Sequence, residues 1–252
     1  MPFMPNTHPV LPSVRPLAIA HRGANSAGSI TSALDLGADM LEADLWPRLG
    51  RLEIRHEKTI GPLPIFWEKW HIERIGGKPP RLHEILEATP LEALLFLDLK
   101  GQNPNLGERV VKAGTSYQPD RSIILCGRTW RQLDRVEPLE HVNVFYSVGT
   151  EDELAKVWSR LERQAAPAIS IHHGLLTEAV VDRLNELRTT VIAWTVNDVA
   201  IAKSLFERGI DGFTSDNQDL LTQIVRYREH AFDDDPEAPL PRTPHEPDVD
   251  DE

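Results

Sequence analysis

The feature that most constrains this chain is an alternation. Short apolar runs rich in β-branched residues recur along it, and each is followed by a longer segment of helical hydrophobic period. The runs are "LAIAH" (17–21), "MLEADLW" (40–46), "LLFLDLK" (94–100), "SIILCG" (122–127), "VNVFYSV" (142–148), "AISIHH" (168–173), "VIAWTV" (191–196) and "DGFTSD" (211–216). The spacing predicts helices near 27–36, 82–89, 106–117, 129–137, 151–164, 177–188, 198–208 and 217–230. Thr150 and Thr177 stand where helix caps belong, each with an acid just after it. Eight strand–helix pairs in 252 residues point to a closed α/β barrel of the TIM (β/α)8 type, folded as a single domain. An open doubly wound sheet is the other arrangement of the same elements. The barrel is expected over 17–230, after an N-terminal arm of residues 1–16. One connection, 47–81, is far longer than the rest and contains the further extended piece "RLEIRH", which marks it as functional.

Charge bears on partners only once it is localised. The formal net charge is -12, but residues 231–252 alone carry nine acids against one arginine, with several prolines. That composition predicts a disordered acidic tail and leaves the barrel mildly acidic, so a nucleic-acid-binding face is not expected. The single cysteine, Cys126, excludes an intramolecular disulfide and lies in an apolar run, which predicts buried packing. The N-terminus is broken by prolines and holds no apolar core of a signal peptide. No apolar run approaches the roughly 20 residues that span a bilayer, so stable membrane insertion is not expected. A cytoplasmic location follows as the expectation.

In a barrel of this kind chemistry sits at the C-terminal ends of the strands. The first run ends in His21-Arg22, the second carries Glu42 and Asp44, the third ends in Asp98-Leu99-Lys100, and "RLEIRH" ends in His56 before Glu57. The sixth ends in His172-His173, the seventh holds Trp194 ahead of Asn197, and the eighth ends in Ser215-Asp216. Glu42 and Asp44 are two apart on a strand, so both face one side, roughly 6.6–6.8 Å apart along it. Buried acids need a counter-charge, and an all-oxygen donor set suits Mg²⁺ or Ca²⁺ better than Zn²⁺. That leaves His21 and His56 for proton transfer, and suits Arg22 and Lys100 to a phosphate.

Each piece also has a structural reading. An acid pair on a strand is often solvated, a histidine at a strand end is often just hydrogen-bonded, and "DLK" can be a plain ion pair. Trp194 can be a wall aromatic, and Asp211 and Asp216 turn or cap residues. His172 and His173 point in alternate directions, which predicts one buried and one partly exposed. What carries weight is the conjunction of these groups, in order, at matching strand ends.

Taken together, "AHRG", "GADMLEADL", "RHE", "LDLK", "IAWTVND" and "GIDGFTSDNQDLL" resemble the glycerophosphodiester phosphodiesterase family, in order from about residue 17 to 222. The resemblance implies a TIM barrel that hydrolyses phosphodiesters with a divalent metal and two histidines. It places Glu42, Asp44 and Asp98 on metal-ligand positions, His21 and His56 on the acid/base pair, Arg22 and Lys100 on phosphate-contacting positions, and Trp194 in the substrate pocket. The chain departs from the pattern after Gly23, where a longer loop with Pro-Glu-Asn-Thr usually supplies another metal-ligating glutamate. Asp98 stands for the usual glutamate, and His56 is followed by Glu57 rather than aspartate. A three-carboxylate site is similar to that of the related sphingomyelinase D and phospholipase D branch.

The expected activity is metal-dependent cleavage of a small-molecule glycerophosphodiester, such as glycerophosphocholine, to glycerol phosphate and an alcohol. Ile65, Phe66, Trp67 and Trp70 in the long connection suit either a packing plug or an acyl chain, so cleavage of lysophospholipids is the alternative, with a cyclic phosphate as a conceivable product. A catalytically silent phosphate-binding barrel is the non-enzymatic alternative. A phosphatidylinositol-cleaving lyase also uses two histidines on a barrel, but its bacterial forms need no metal, and the acid cluster speaks against it.

Overall fold

The computed structural model describes residues 11–59, 65–68, 71–74, 78–139 and 141–230. Eight parallel strands close on themselves: β1 (Leu17–Ala20), β2 (Met40–Arg48), β7 (Leu94–Leu99), β8 (Ile123–Gly127), β9 (Val142–Val148), β10 (Ala168–His172), β11 (Thr190–Trp194) and β12 (Gly212–Ser215). The ladder runs β1-β12-β11-β10-β9-β8-β7-β2, and the pairing of Ile19 with Met40 brings β2 back to β1. The long connection supplies the other strands. β3 (Arg51–Ile54) turns back antiparallel on β2, and β4 (Lys58–Thr59), β5 (Ile65–Glu68) and β6 (His71–Arg74) form a separate antiparallel sheet.

Seven helices cover the wall: α1 (Ala27–Asp35), α2 (Leu82–Ala88), α3 (Leu106–Tyr117), α4 (Glu151–Leu161), α5 (Glu178–Glu186), α6 (Val199–Glu207) and α7 (Gln218–His230). The caps fall where the sequence places them. Thr150 Oγ1 accepts from the Glu153 N–H and Thr177 Oγ1 from the Val180 N–H. The helix expected over 129–137 is instead one 3₁₀ turn, Trp130–Gln132, followed by turns. Gln132 is fully buried there and its side-chain amide donates to the carbonyls of Gly101 and Asn103. Its own carbonyl sits where a Cβ on Gly107 of α3 would lie, only 2.0 Å away. The turn is pressed onto α3, and Pro138 limits continuation of a helix beyond it.

The strands sort their side chains by parity. Leu17 and Ile19, Met40, Phe96, Ile124, Cys126, Phe145, Ala168 and Ile192 fill the barrel, while their neighbours face the helices in a larger core. Leu11 packs against the filling of the barrel. Arg15 pairs with Asp211 at 3.1 Å, and the Asp211 carboxylate also accepts from the Val191 N–H. Asp211 is therefore a structural group just before β12, at the N-terminal end of the barrel strands. Among the described residues no helix is long and apolar enough to cross a membrane. The expected acidic tail, 231–252, residues 1–10 of the arm, Trp70 and the side chains of Ile65, Phe66 and Trp67 lie outside the description.

Candidate active site

Followed upward, each inward face changes from apolar to polar. Met40 is succeeded by Glu42 and Asp44, Phe96 by Asp98 and Lys100, Ile124 and Cys126 by Arg128, Phe145 by Ser147, and Ala168 by Ser170 and His172. The apolar layers seal the barrel, and the polar layers line a cavity of about 310 Å³ at the C-terminal ends. His21, Glu42, His56, Asp98, Lys100 and Trp194 all line it.

Asp44 and Asp98 are direct cross-strand partners on β2 and β7. Carboxylate oxygens of Glu42, Asp44 and Asp98 lie within 4.8 Å of one another, the group among the described residues able to hold a metal ion. Glu42 is almost fully buried, and its carboxylate accepts the Arg22 N–H at 2.7 Å. Burial, and then the charges of Asp44 and Asp98, push its pKa well above the usual carboxylate range. Asp44 is wholly buried too, but Lys100 Nζ lies 2.8 Å from it and Asn25 brackets it through Nδ2 and Oδ1, both at 3.0 Å. Burial alone would raise Asp44; Lys100 and Asn25 more than reverse it and hold it below its ordinary value. Lys100 also contacts Asp98. Burial would lower the lysine, yet the surrounding carboxylates raise it, so it stays charged.

His21 Nδ1 is 2.6 Å from Asp216 Oδ1. An ionised carboxylate only accepts, so Nδ1 carries the proton and Nε2 presents a lone pair. Asp216 is placed by its neighbours: Asn197 Oδ1 accepts from the Ser215 hydroxyl at 2.9 Å and from the Asp216 N–H at 3.0 Å, and Asn217 donates to the Asn197 carbonyl. His56 reaches the cavity just beyond β3, where the preceding Arg55 donates its N–H to the Asp44 carbonyl at 2.9 Å and lies over the Trp46 ring.

Two placements differ from a reading of strand ends. Arg22 is fixed beside Glu42 through its backbone N–H, and the guanidinium among the described lining residues is that of Arg128. The signal for Arg128 was parity, since it continues the inward series Ile124, Cys126. His172 and His173 do not divide into one buried and one exposed: both are half-buried and stack with centroids 4.8 Å apart, and His172 meets the Trp194 edge at 5.2 Å. Cys126 is buried beneath the carboxylates, and burial, then Asp98 and Glu42, keep its thiol protonated.

The model of the glycerophosphoryl diester phosphodiesterase family matches residues 90–220, just over half of the 252. The chain belongs to this family. Membership makes it a phosphoric diester hydrolase of a divalent-metal-dependent group, and the three-carboxylate cluster is a place for such an ion. The glycerophosphodiester phosphodiesterase of Caldanaerobacter subterraneus subsp. tengcongensis is 22% identical over 244 residues, covering 84% of this chain and 99% of that one. An Oleispira antarctica phosphodiesterase, solved in complex with the product sn-glycerol-3-phosphate, superposes with a TM-score of 0.66 at 20% identity, over 84% of this chain and 97% of that one. The Thermotoga maritima glycerophosphodiester phosphodiesterase gives 0.63 at 17%, covering 84% and 98%.

Proposed function

We propose that this phosphodiesterase hydrolyses glycerophosphodiesters to glycerol phosphate and an alcohol, using a divalent cation and two histidines. The observation that carries the reading is the convergence of Glu42, Asp98, two histidines and a lysine on one cavity, with the Asp44 carboxylate clustered against the other two. Glu42, Asp44 and Asp98 would hold the cation. Their chemistry fits one, because a single ammonium, Lys100, faces three buried or half-buried acids, and all the donors are hard oxygens suited to Mg²⁺ or Ca²⁺. When bound, the ion supplies Lewis-acid neutralisation of charge developing at phosphorus.

The chain's own groups do the rest. Lys100 adds a fixed positive charge at the same place. His21, with Nδ1–H held by Asp216, takes the proton of the attacking oxygen at Nε2, and the carboxylate stabilises the imidazolium that forms. His56 donates a proton to the departing alkoxide. Arg22 fixes the orientation of Glu42 through its backbone N–H, and its guanidinium is the second phosphate-contacting group in this reading. Trp194 forms a wall for the glycerol moiety, and its buried Nε1–H has no protein acceptor among the described residues, which suits it to a substrate oxygen. The relative crystallised with sn-glycerol-3-phosphate supports this choice of product.

The test is a panel of glycerophosphodiesters and lysophospholipids assayed with Mg²⁺, Ca²⁺, Mn²⁺ and excess chelator. Release of glycerol phosphate that needs a divalent ion and is lost in His21→Ala and His56→Ala is expected. Full turnover after exhaustive chelation would overturn the metal role, and turnover of lysophosphatidylcholine alone would move the substrate to the lysophospholipids.

A further inference from the structure

Among the described residues lining the cavity, Arg128 is the charged one that the reaction above does not use. It follows β8, and its fork is gripped from one side: Nε donates to Glu153 Oε1 at 3.0 Å and Nη2 to Glu153 Oε2 at 2.9 Å. Glu153 is itself anchored in the first turn of α4, where it also accepts the Gly149 N–H at 2.7 Å. Burial would raise that carboxyl, but the Gly149 N–H and Arg128 hold it below its ordinary value, so the pair is fully charged at neutral pH. The grip leaves Nη1 with no protein acceptor among the described residues. The side chain is about half exposed, 52%, on a residue that lines the cavity.

Gly149 shapes this corner. A Cβ there would lie 3.1 Å from Trp194 Cη2 and 3.2 Å from Arg128 Cζ, so the missing side chain is what lets indole and guanidinium approach over the end of β9. The wall around them is rich in donors and poor in acids. Ser147, Ser170, Thr214 and Trp194 line it, Thr214 Oγ1 and Trp194 Nε1 are buried without protein partners, and no described lining residue from β8 to β12 is acidic. The three carboxylates lie on β2 and β7, the latter the neighbour of β8, and Lys100 contacts Asp44 and Asp98 there. A quaternary ammonium would meet a guanidinium here and offer no acceptor. A carboxylate or phosphate would offer two oxygens to a planar fork already held in place.

Resting on the phosphodiesterase reading, we propose that Arg128 is a specificity-determining residue that selects substrates whose alcohol portion carries a second oxyanion. Glu153 is its positioning residue, spending one edge of the guanidinium to aim the other. The half-exposed setting limits the effect to roughly tenfold in kcat/KM, since solvent competes for the contact.

Two matched pairs test this. Glycerophosphoserine and glycerophosphoethanolamine differ by one carboxylate, and glycerophosphoglycerol with and without a terminal phosphate differ by one phosphate. The unmodified enzyme is expected to favour the oxyanion-bearing member of at least one pair by about tenfold, and the pair that responds identifies the oxyanion. In Arg128→Gln the ratio falls close to one, and in Glu153→Gln it falls partway. Because each ratio is taken within one variant, a general loss of activity cancels; Arg128→Lys, which keeps the charge but not the fork, serves if Arg128→Gln does not fold. A ratio near one in the unmodified enzyme for both pairs, or a preference that survives Arg128→Gln, overturns the proposal while leaving the phosphodiesterase reading standing. Failure to cleave any of the four overturns that reading, and the proposal with it.

Discussion

At the scale of single residues, the site works by setting neighbours against burial. Glu42 illustrates the sign. Burial and the adjacent acids raise its pKa in the folded chain, so between the ordinary value of 4.5 and the raised one the folded state holds a proton that the unfolded state has released. Stability from this group is therefore present in acid and lost as pH rises. Glu42→Gln removes that cost while keeping an oxygen for the Arg22 N–H. In chelator the variant should melt higher than the parent at neutral pH, with the difference vanishing below the ordinary carboxylate range, and it should bind divalent ions poorly. Thermal denaturation across pH, with and without cation, checks this; a parent that melts higher than the variant in chelator at neutral pH contradicts it. Asp216 is a positioning residue for His21. Asp216→Asn removes the negative charge that holds the proton on Nδ1 and offers an amide donor in its place, and kcat should fall about 10–100-fold with KM little changed. A fall in KM-limited rate alone would mean that Asp216 serves only the loop.

At the scale of elements, helix and strand boundaries follow from caps and parity, and the exceptions are places where close packing decides. The segment after β8 has helical period in part but makes a 3₁₀ turn, because Gln132 must reach the Gly101 and Asn103 carbonyls and its own carbonyl is lodged against Gly107. Gly107→Ala would force a Cβ into that carbonyl, and the backbone on one side must move. The expected cost is about 1–3 kcal/mol, seen as a lowered Tm with kcat largely retained. The same parity that hides Leu17 and Ile19 in the barrel puts Glu42 with Asp44 and Asp98 with Lys100 on the inner face. Those residues were legible because a strand has a period of two and the acids stood at strand ends. Arg128 obeys the same rule, but a lone arginine after a cysteine and a glycine carries no chemical signature until the wall around it is known.

At the scale of the whole molecule, a cation held by Glu42, Asp44 and Asp98 would join strands that are distant in sequence, so binding should stabilise the native state by mass action. A cation at a hundred times its dissociation constant adds about 2.7 kcal/mol, which for a chain of this size corresponds to a rise in Tm on the order of 5–10 °C. Titration of Mg²⁺, Ca²⁺ and Mn²⁺ into the chelated protein, followed by melting, checks this without any assay of turnover. An unchanged Tm for all three would speak against the carboxylate site.

The amino-acid sequence by itself determined the alternation of strands and helices, with a barrel as its expected arrangement, and the strand ends that carry the candidate groups. Those follow from local periodicities and from charge stranded at the tips of apolar runs, and both are properties of neighbouring residues. The family likeness rests on the same ordered strand ends. Only the tertiary structure decided which groups share a cavity. Closure of β1 onto β2 and β12 sets His21 against Asp216, 195 residues apart, and the turn of β3 brings His56 to the mouth. It also put Arg128 among the residues that line the cavity. These outcomes depend on curvature and register summed around eight strands, quantities that no single segment of the chain contains.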